Sequence, residues 1–271
     1  MGRMPLLALL GVLALGVVDP GGAQTQPDLQ RCRLEATQSK ASDPVLDLER
    51  HQQLNPALWT SAGQLRPVVA ERLLAIAAAW QRDALIPDGL VSDVLLVGGN
   101  ANYNYTSKSD IDVHLLVPLD RLGSPPSLVN EYIKTKTKSW SNSRAIRVAG
   151  YRVEVSAYAN PIRADQGIYS LRQRRWLVTP RQQAVRTITP ELRQQAGVYQ
   201  RTIACLIRNN APNASFETLL AELKQLRKAG LAQAGEFDPK NLLYKALRNS
   251  GDIDAIKTFL QARTDRQLST P

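Results

Sequence analysis

Leu96-Val-Gly-Gly-Asn-Ala-Asn-Tyr-Asn-Tyr-Thr-Ser-Lys-Ser-Asp-Ile-Asp-Val-His-Leu115 decides how this chain folds. Its first residues close a short apolar run, Val94 to Val97, which ends at two glycines; this pattern predicts a buried strand and a sharp turn. Its last residues alternate from Asp110 to Val117, as a strand with two unlike faces must. Residues two apart in a strand share a side. Ile111, Val113 and Leu115 therefore point into a core, and Asp110, Asp112 and His114 point together to the other face. Successive side chains on that face stand roughly 6.5–7 Å apart. Two carboxylates so placed raise each other's pKa unless a cation lies between them.

That arrangement suits a hard divalent ion, Mg²⁺ or Mn²⁺, which takes carboxylate and phosphate oxygens together. Zinc is a poor match for a chain with two histidines and two scattered cysteines. Gly98 and Gly99 let the backbone approach a ligand and offer N–H groups to phosphate. Ser107 and Ser109 add hydroxyl donors, and Lys108 a charge, on the loop from Asn100 to Ser109. No Gly-Lys-Ser/Thr follows the glycines, which excludes a P-loop. The absence of G-x-G-x-x-G excludes a dinucleotide fingerprint. Two-metal chemistry needs one more carboxylate. Tyr151-Arg-Val-Glu-Val-Ser-Ala157 supplies it: Val153 and Val155 point inward, leaving Glu154 on the face shared with Arg152 and Ser156.

Around this centre the helical periodicity predicts a helix from Arg66-Pro67 through Trp80. A basic helix follows from Ser127 to about Ser141. Ala145 to Ala157 reads as two strands broken near Gly150, and Arg175 to Val178 as another strand. Beyond Pro180 the chain turns all-helical. One helix opens at Thr189-Pro190, a second ends near Gly230, a third starts at Asp238-Pro239, and a fourth runs from about Ile253 to Arg263. The fold class expected is α+β: a small mixed sheet with flanking helices, then an all-helical C-terminal region. The segments are residues 1–23, 24–55 (a polar, weakly periodic N-terminal extension), 56–180 (the catalytic-type domain) and 181–271 (the helical region).

At these residues the sequence resembles the nucleotidyltransferase superfamily whose best-known member is DNA polymerase β. More closely, it is similar to nucleotidyltransferases inferred from phage and bacterial genomes. The likeness spans roughly residues 54–260. It includes Leu54-Asn-Pro-Ala-Leu-Trp59, Ser109-Asp-Ile-Asp-Val-His-Leu115, Val153-Glu-Val155, Gly167-Ile-Tyr-Ser170, Gly235-Glu-Phe237 and Asn241-Leu-Leu-Tyr-Lys-Ala-Leu-Arg248. The resemblance implies that Asp110, Asp112 and Glu154 hold catalytic Mg²⁺ (or Mn²⁺) and that Gly98 and Gly99 face phosphate. The implied reaction moves a nucleoside monophosphate from an NTP, ATP being the expected donor, to a hydroxyl on RNA, protein or a small molecule. The family's second glycine position is more often serine; here it is Gly99. A non-catalytic, exported module that binds nucleotide or nucleic acid on the same fold is the alternative.

Lysine and arginine number 34 against 24 aspartates and glutamates, a net of +10, which favours polyanionic partners. Met1 to Gln24 has a basic start, an apolar stretch from Pro5 to Val18 and a small-residue end. This describes a signal peptide, residues 1–23, and export to the periplasm or beyond; with a misassigned start the protein would be cytoplasmic. The apolar stretch is too short for a stable membrane span. In an oxidising compartment Cys32 and Cys205 could pair; the competing reading makes Cys205 a small buried hydrophobe of its helix. Tyr103 and Tyr105 are candidates for base stacking or for loop packing, Lys108 and Arg152 for charge neutralisation, and His114 for a structural role. Oligomeric state is not legible.

Overall fold

The computed structural model describes residues 27–41, 44, 46, 48, 51–160, 166–182 and 188–270. The segment read as a signal peptide lies outside the described residues.

Six strands form one mixed sheet: β1 (Asp93–Val97), β2 (Ile111–Leu116), β3 (Arg147–Val148), β4 (Tyr151–Tyr158), β5 (Ile168–Ser170) and β6 (Arg175–Val178), in the order β3-β4-β2-β1-β5-β6. Among the described residues, only β2 and β4 pair in parallel. Parallel neighbours need a long crossover, and the chain between these two carries α3 (Pro126–Ser143). The alternation read in β2 holds: Ile111, Val113 and Leu115 are wholly buried, while Asp112 and His114 are not. The three apolar side chains join Val153 and Val155 of β4, Leu73 and Trp80 of α2 (Pro67–Asp83) and Ile133 of α3 in the main core. Both helices therefore cover one face of the sheet, and the acidic face is left for a ligand.

The strand β5 was not legible in the sequence. Three residues are too few to establish a period, and all three are buried. They pair with β1 on one side and β6 on the other.

The helical region comprises α4 (Pro190–Arg208), α5 (Asn213–Gln233), α6 (Pro239–Asn249) and α7 (Asp252–Leu268). Thr189 caps α4 by accepting the Leu192 N–H, and Asp238 caps α6 by accepting that of Lys240. Gly230 does not end α5, which runs three residues further. A Cβ at 230 would stand 2.6 Å from Asp238 Oδ1 and 2.9 Å from the Asn241 nitrogen. The glycine serves the close approach of α6 rather than a helix stop.

The N-terminal stretch expected to be an extension contains a further helix, α1 (Pro27–Gln38), which packs on α4. Its buried residues are Leu29, Cys32 and Ala36. They carry a helical spacing, but one is a cysteine and one an alanine, so the pattern is faint in sequence. Cys32 and Cys205 are joined in a disulfide, with Cα atoms 5.6 Å apart and a sequence separation of 173. Tyr199 donates to Glu222 beside it at 2.6 Å, and Arg33 pairs with the same carboxylate.

Closing so long a loop restricts the unfolded chain. Reduction is therefore expected to lower stability by about 2–4 kcal/mol. The check is urea denaturation with and without reductant, and Cys32→Ser should abolish the difference between the two curves.

Candidate active site

Strand pairing brings two of the carboxylates together. In the parallel β2–β4 ladder Asp112 stands opposite Glu154. Register partners in neighbouring strands are about 4.8 Å apart and point the same way. Asp110 immediately precedes β2 on the same face. All three line one cavity of about 700 Å³, together with Gly98, Gly99 and Ser109.

The electrostatics reflect this crowding. Burial, then the charges of Glu154 and Asp110, pushes the Asp112 carboxyl up to about 7, against the pull of Arg248 and Lys245. Partial burial also raises Asp110, opposed by Arg248, Arg152 and Arg147. Glu154 is raised by desolvation and by Asp110. A fold with no use for these charges would gain by replacing one of them.

Gly98 explains the first glycine. Its φ is +75°, and a Cβ there would lie 1.8 Å from Asp112 Oδ2. The backbone passes directly over the carboxylate, and only glycine leaves room. Gly99 is less constrained: its Cβ would meet Ser109 Oγ at 3.2 Å. The Ser109 hydroxyl, which accepts the Thr106 N–H, thus stands beside Gly99.

Asn100 is the buttress of this turn. Wholly buried, it donates to the Asp110 carbonyl at 2.9 Å and accepts from the Asn55 amide at 2.7 Å. The Trp59 indole donates to its backbone carbonyl. Leu54 to Trp59 therefore acts on the site through Asn100, whose buried polar groups need these partners.

The helical region supplies what sequence reasoning missed. Lys245 and Arg248 of α6 and Arg227 of α5 line the cavity opposite the carboxylates. Burial lowers the Lys245 ammonium, and its ion pair with Glu236 opposes the shift. The segment Asn241–Arg248 belongs to the motif that carried the resemblance. Nothing local in it shows that Lys245 and Arg248 turn towards aspartates more than 130 residues earlier.

Other expected residues are distributed differently. Ser107 and Lys108 are exposed and do not line the cavity, and the Lys108 ammonium donates to the Asn249 carbonyl. Tyr103 lines the cavity, whereas Tyr105 is buried and stacked on His51 at 3.8 Å. His114 packs against Tyr158 at 4.3 Å, and burial pulls its pKa down to about 4, so it stays neutral at ordinary pH. The Arg152 guanidinium donates to the Ser141 carbonyl. Among the described residues no group of three His, Cys, Asp or Glu side chains is arranged to hold a metal ion by itself, and no helix is long and apolar enough to cross a membrane.

No family model matches the chain, and no curated protein matches it. Among solved structures, the STING-associated CdnE c-di-GMP synthase of Capnocytophaga granulosa aligns over 74% of this chain and 84% of its own, at 13% identity and a TM-score of 0.20.

Proposed function

We propose that the protein is a metal-dependent nucleotidyltransferase, which moves a nucleoside monophosphate from an NTP to an acceptor hydroxyl and releases pyrophosphate. The observation that carries this reading is the register that sets Glu154 beside Asp112, with Asp110 on the same face, under the Gly98 backbone.

The donor set fits Mg²⁺ or Mn²⁺. Mg²⁺ is ordinarily held by one or two carboxylates, with substrate phosphates and waters completing the shell, so an all-protein cage is not required. Asp110, Asp112 and Glu154 would hold it. When bound, the metal lends positive charge to the phosphate oxygens and lowers the pKa of a coordinated hydroxyl.

The chain's own residues do the rest. Gly98 and Gly99 allow backbone N–H groups to approach the phosphates, and Ser109 offers its hydroxyl to the same cavity. The acceptor oxygen attacks the α-phosphorus. A new O–P bond forms as the bond from that phosphorus to the bridging oxygen breaks. Glu154 accepts the acceptor's proton. Lys245, Arg248 and Arg227 face the departing pyrophosphate and neutralise its charge. ATP is the donor proposed.

Arg248→Ala is expected to raise KM for the NTP about 10-fold and lower kcat by a similar factor, since charge-assisted contacts to phosphate are worth about 1.5–3 kcal/mol. Steady-state pyrophosphate release measures both.

The reading is tested by incubating the purified protein with each α-labelled NTP, Mg²⁺ or Mn²⁺ and a cell extract. Label should pass to an acceptor. Absence of transfer with all four nucleotides and both metals would refute it.

The disulfide between Cys32 and Cys205 supports an oxidising compartment, and with it the proposal that residues 1–23 direct export. NTP is scarce there, which favours a second reading: an exported module that binds nucleotide without turnover. Tight Mg²⁺–NTP binding with no pyrophosphate released would select it.

A further inference from the structure

A second cavity, of about 750 Å³, opens between α3, β4 and α7. Glu154 lines it, and among the described residues Glu154 is the one it shares with the cavity described above. The carboxylate thus stands at a junction. One side holds the phosphate-facing glycines and the α6 cations; the other is a separate open groove.

The charges that line this groove are basic in excess. Lys134 and Lys138 come from α3, Arg152 from β4 and Lys257 from α7, against the carboxylates of Glu154 and Asp254. Amides and hydroxyls fill the intervals, among them Asn130, Asn142 and Thr137, which donates to Ser156 at 3.0 Å. Lys134 also pairs with Glu131 at 3.3 Å, and Lys257 with Asp254 at 2.8 Å. These are exposed pairs, which contribute little and exchange readily for a phosphate. Lys134 and Lys138 sit one turn apart, about 6 Å along the helix. They offer a row of charge leading to Glu154 rather than a single point. Ile133 and Tyr158 are the bulky apolar side chains among the amides, hydroxyls and charges of the lining.

We propose that this groove binds a single-stranded nucleic acid, backbone along Lys134 and Lys138, with its terminal hydroxyl at Glu154. The inference rests on the reading of Glu154 as the group facing the acceptor, and it names the acceptor's class.

Lys136 provides a control within the same helix. It points away from the groove and pairs with Asp83 at 3.5 Å. The experiment measures fluorescence anisotropy of an end-labelled ten-nucleotide single-stranded RNA with the full chain, in EDTA and without NTP. Wild type should bind with an affinity that falls as salt rises. Lys134→Gln combined with Lys138→Gln should weaken binding at least 10-fold and flatten the salt dependence. Lys136→Gln, which removes charge from the same helix, should change it less than 2-fold. Mg²⁺–NTP affinity should stay the same in all three.

Equal loss from Lys136→Gln and Lys138→Gln would overturn the proposal in favour of diffuse attraction to a basic surface. So would displacement of the RNA by a polyglutamate peptide at matched charge, or unchanged binding in the double variant. Strand binding is read without metal or nucleotide. Strand binding through these lysines in a protein that transfers no label would refute the transferase reading and leave the groove standing. Label transfer by a protein whose strand binding ignores the lysines would do the reverse.

Discussion

Asp112→Asn should abolish transfer, by at least 10³-fold, and at the same time make the metal-free protein more stable. The first effect follows from losing one of three anionic ligands in a site whose chemistry depends on charge stabilisation. The second follows from burial and from two like charges. Folding raises the Asp112 carboxyl to about 7 from an ordinary 3.8. A carboxyl raised in this way stabilises the fold most below its unfolded value and loses that contribution as pH rises through its folded value. At pH 8 the wild type therefore carries an unfavourable buried charge that asparagine lacks. Solvent reaching the site reduces the gain, and we expect about 1–2 kcal/mol, or about 3–6 °C in Tm. The gain should vanish below pH 4, where the wild-type carboxyl is protonated in both states. Lowered His114 opposes this trend in wild type, but it is present in both proteins and cancels in the difference. Thermal unfolding in EDTA from pH 4 to 8 gives the comparison. A destabilised Asn variant at pH 8 would mean that Asp112 is a structural residue.

Gly98→Ala should be the most damaging single methyl group in the site. The added carbon would stand 1.8 Å from Asp112 Oδ2, and φ at +75° is strained for any L side chain. With ψ at −163° the residue lies in a region essentially confined to glycine, which alone costs about 1–3 kcal/mol for another residue, and relief of the clash requires the turn or the carboxylate to move. We expect a total loss of about 3–4 kcal/mol. Transfer should fall at least 100-fold, since a displacement of about 1 Å at a reacting group costs that much. Gly99→Ala is the matched control. Its new contact, 3.2 Å from a rotatable Ser109 hydroxyl, can be relieved locally, and its urea midpoint should stay near wild type.

The local signals were legible because they are periodic. Alternation from Asp110 to Val117 put the aspartates on one face of β2, and Val153 and Val155 turned Glu154 away from the core; the ladder agrees in both strands. The pairing of Asp112 with Glu154 was not legible, because register belongs to topology and no strand states its partner. The cations opposite lie on α6, where Lys245 and Arg248 read only as polar positions of an amphipathic helix. The loop residues were partly misplaced for the same reason. Tyr105 and Lys108 carry suitable chemistry, but His51 stacks on one and the Asn249 carbonyl takes the other. Helix α1 was hidden because its buried face comprises a leucine, a cysteine and an alanine.

The most direct measurement is a crystal structure with Mn²⁺ and an NTP analogue that cannot be cleaved at its α-phosphate, using anomalous scattering to find the metal. Manganese should be held by Asp110, Asp112 and Glu154, within about 2.3 Å of their oxygens, with the triphosphate between Gly98 and Arg248. Metal elsewhere, or an empty cavity with Glu154 directed to solvent, would contradict the account.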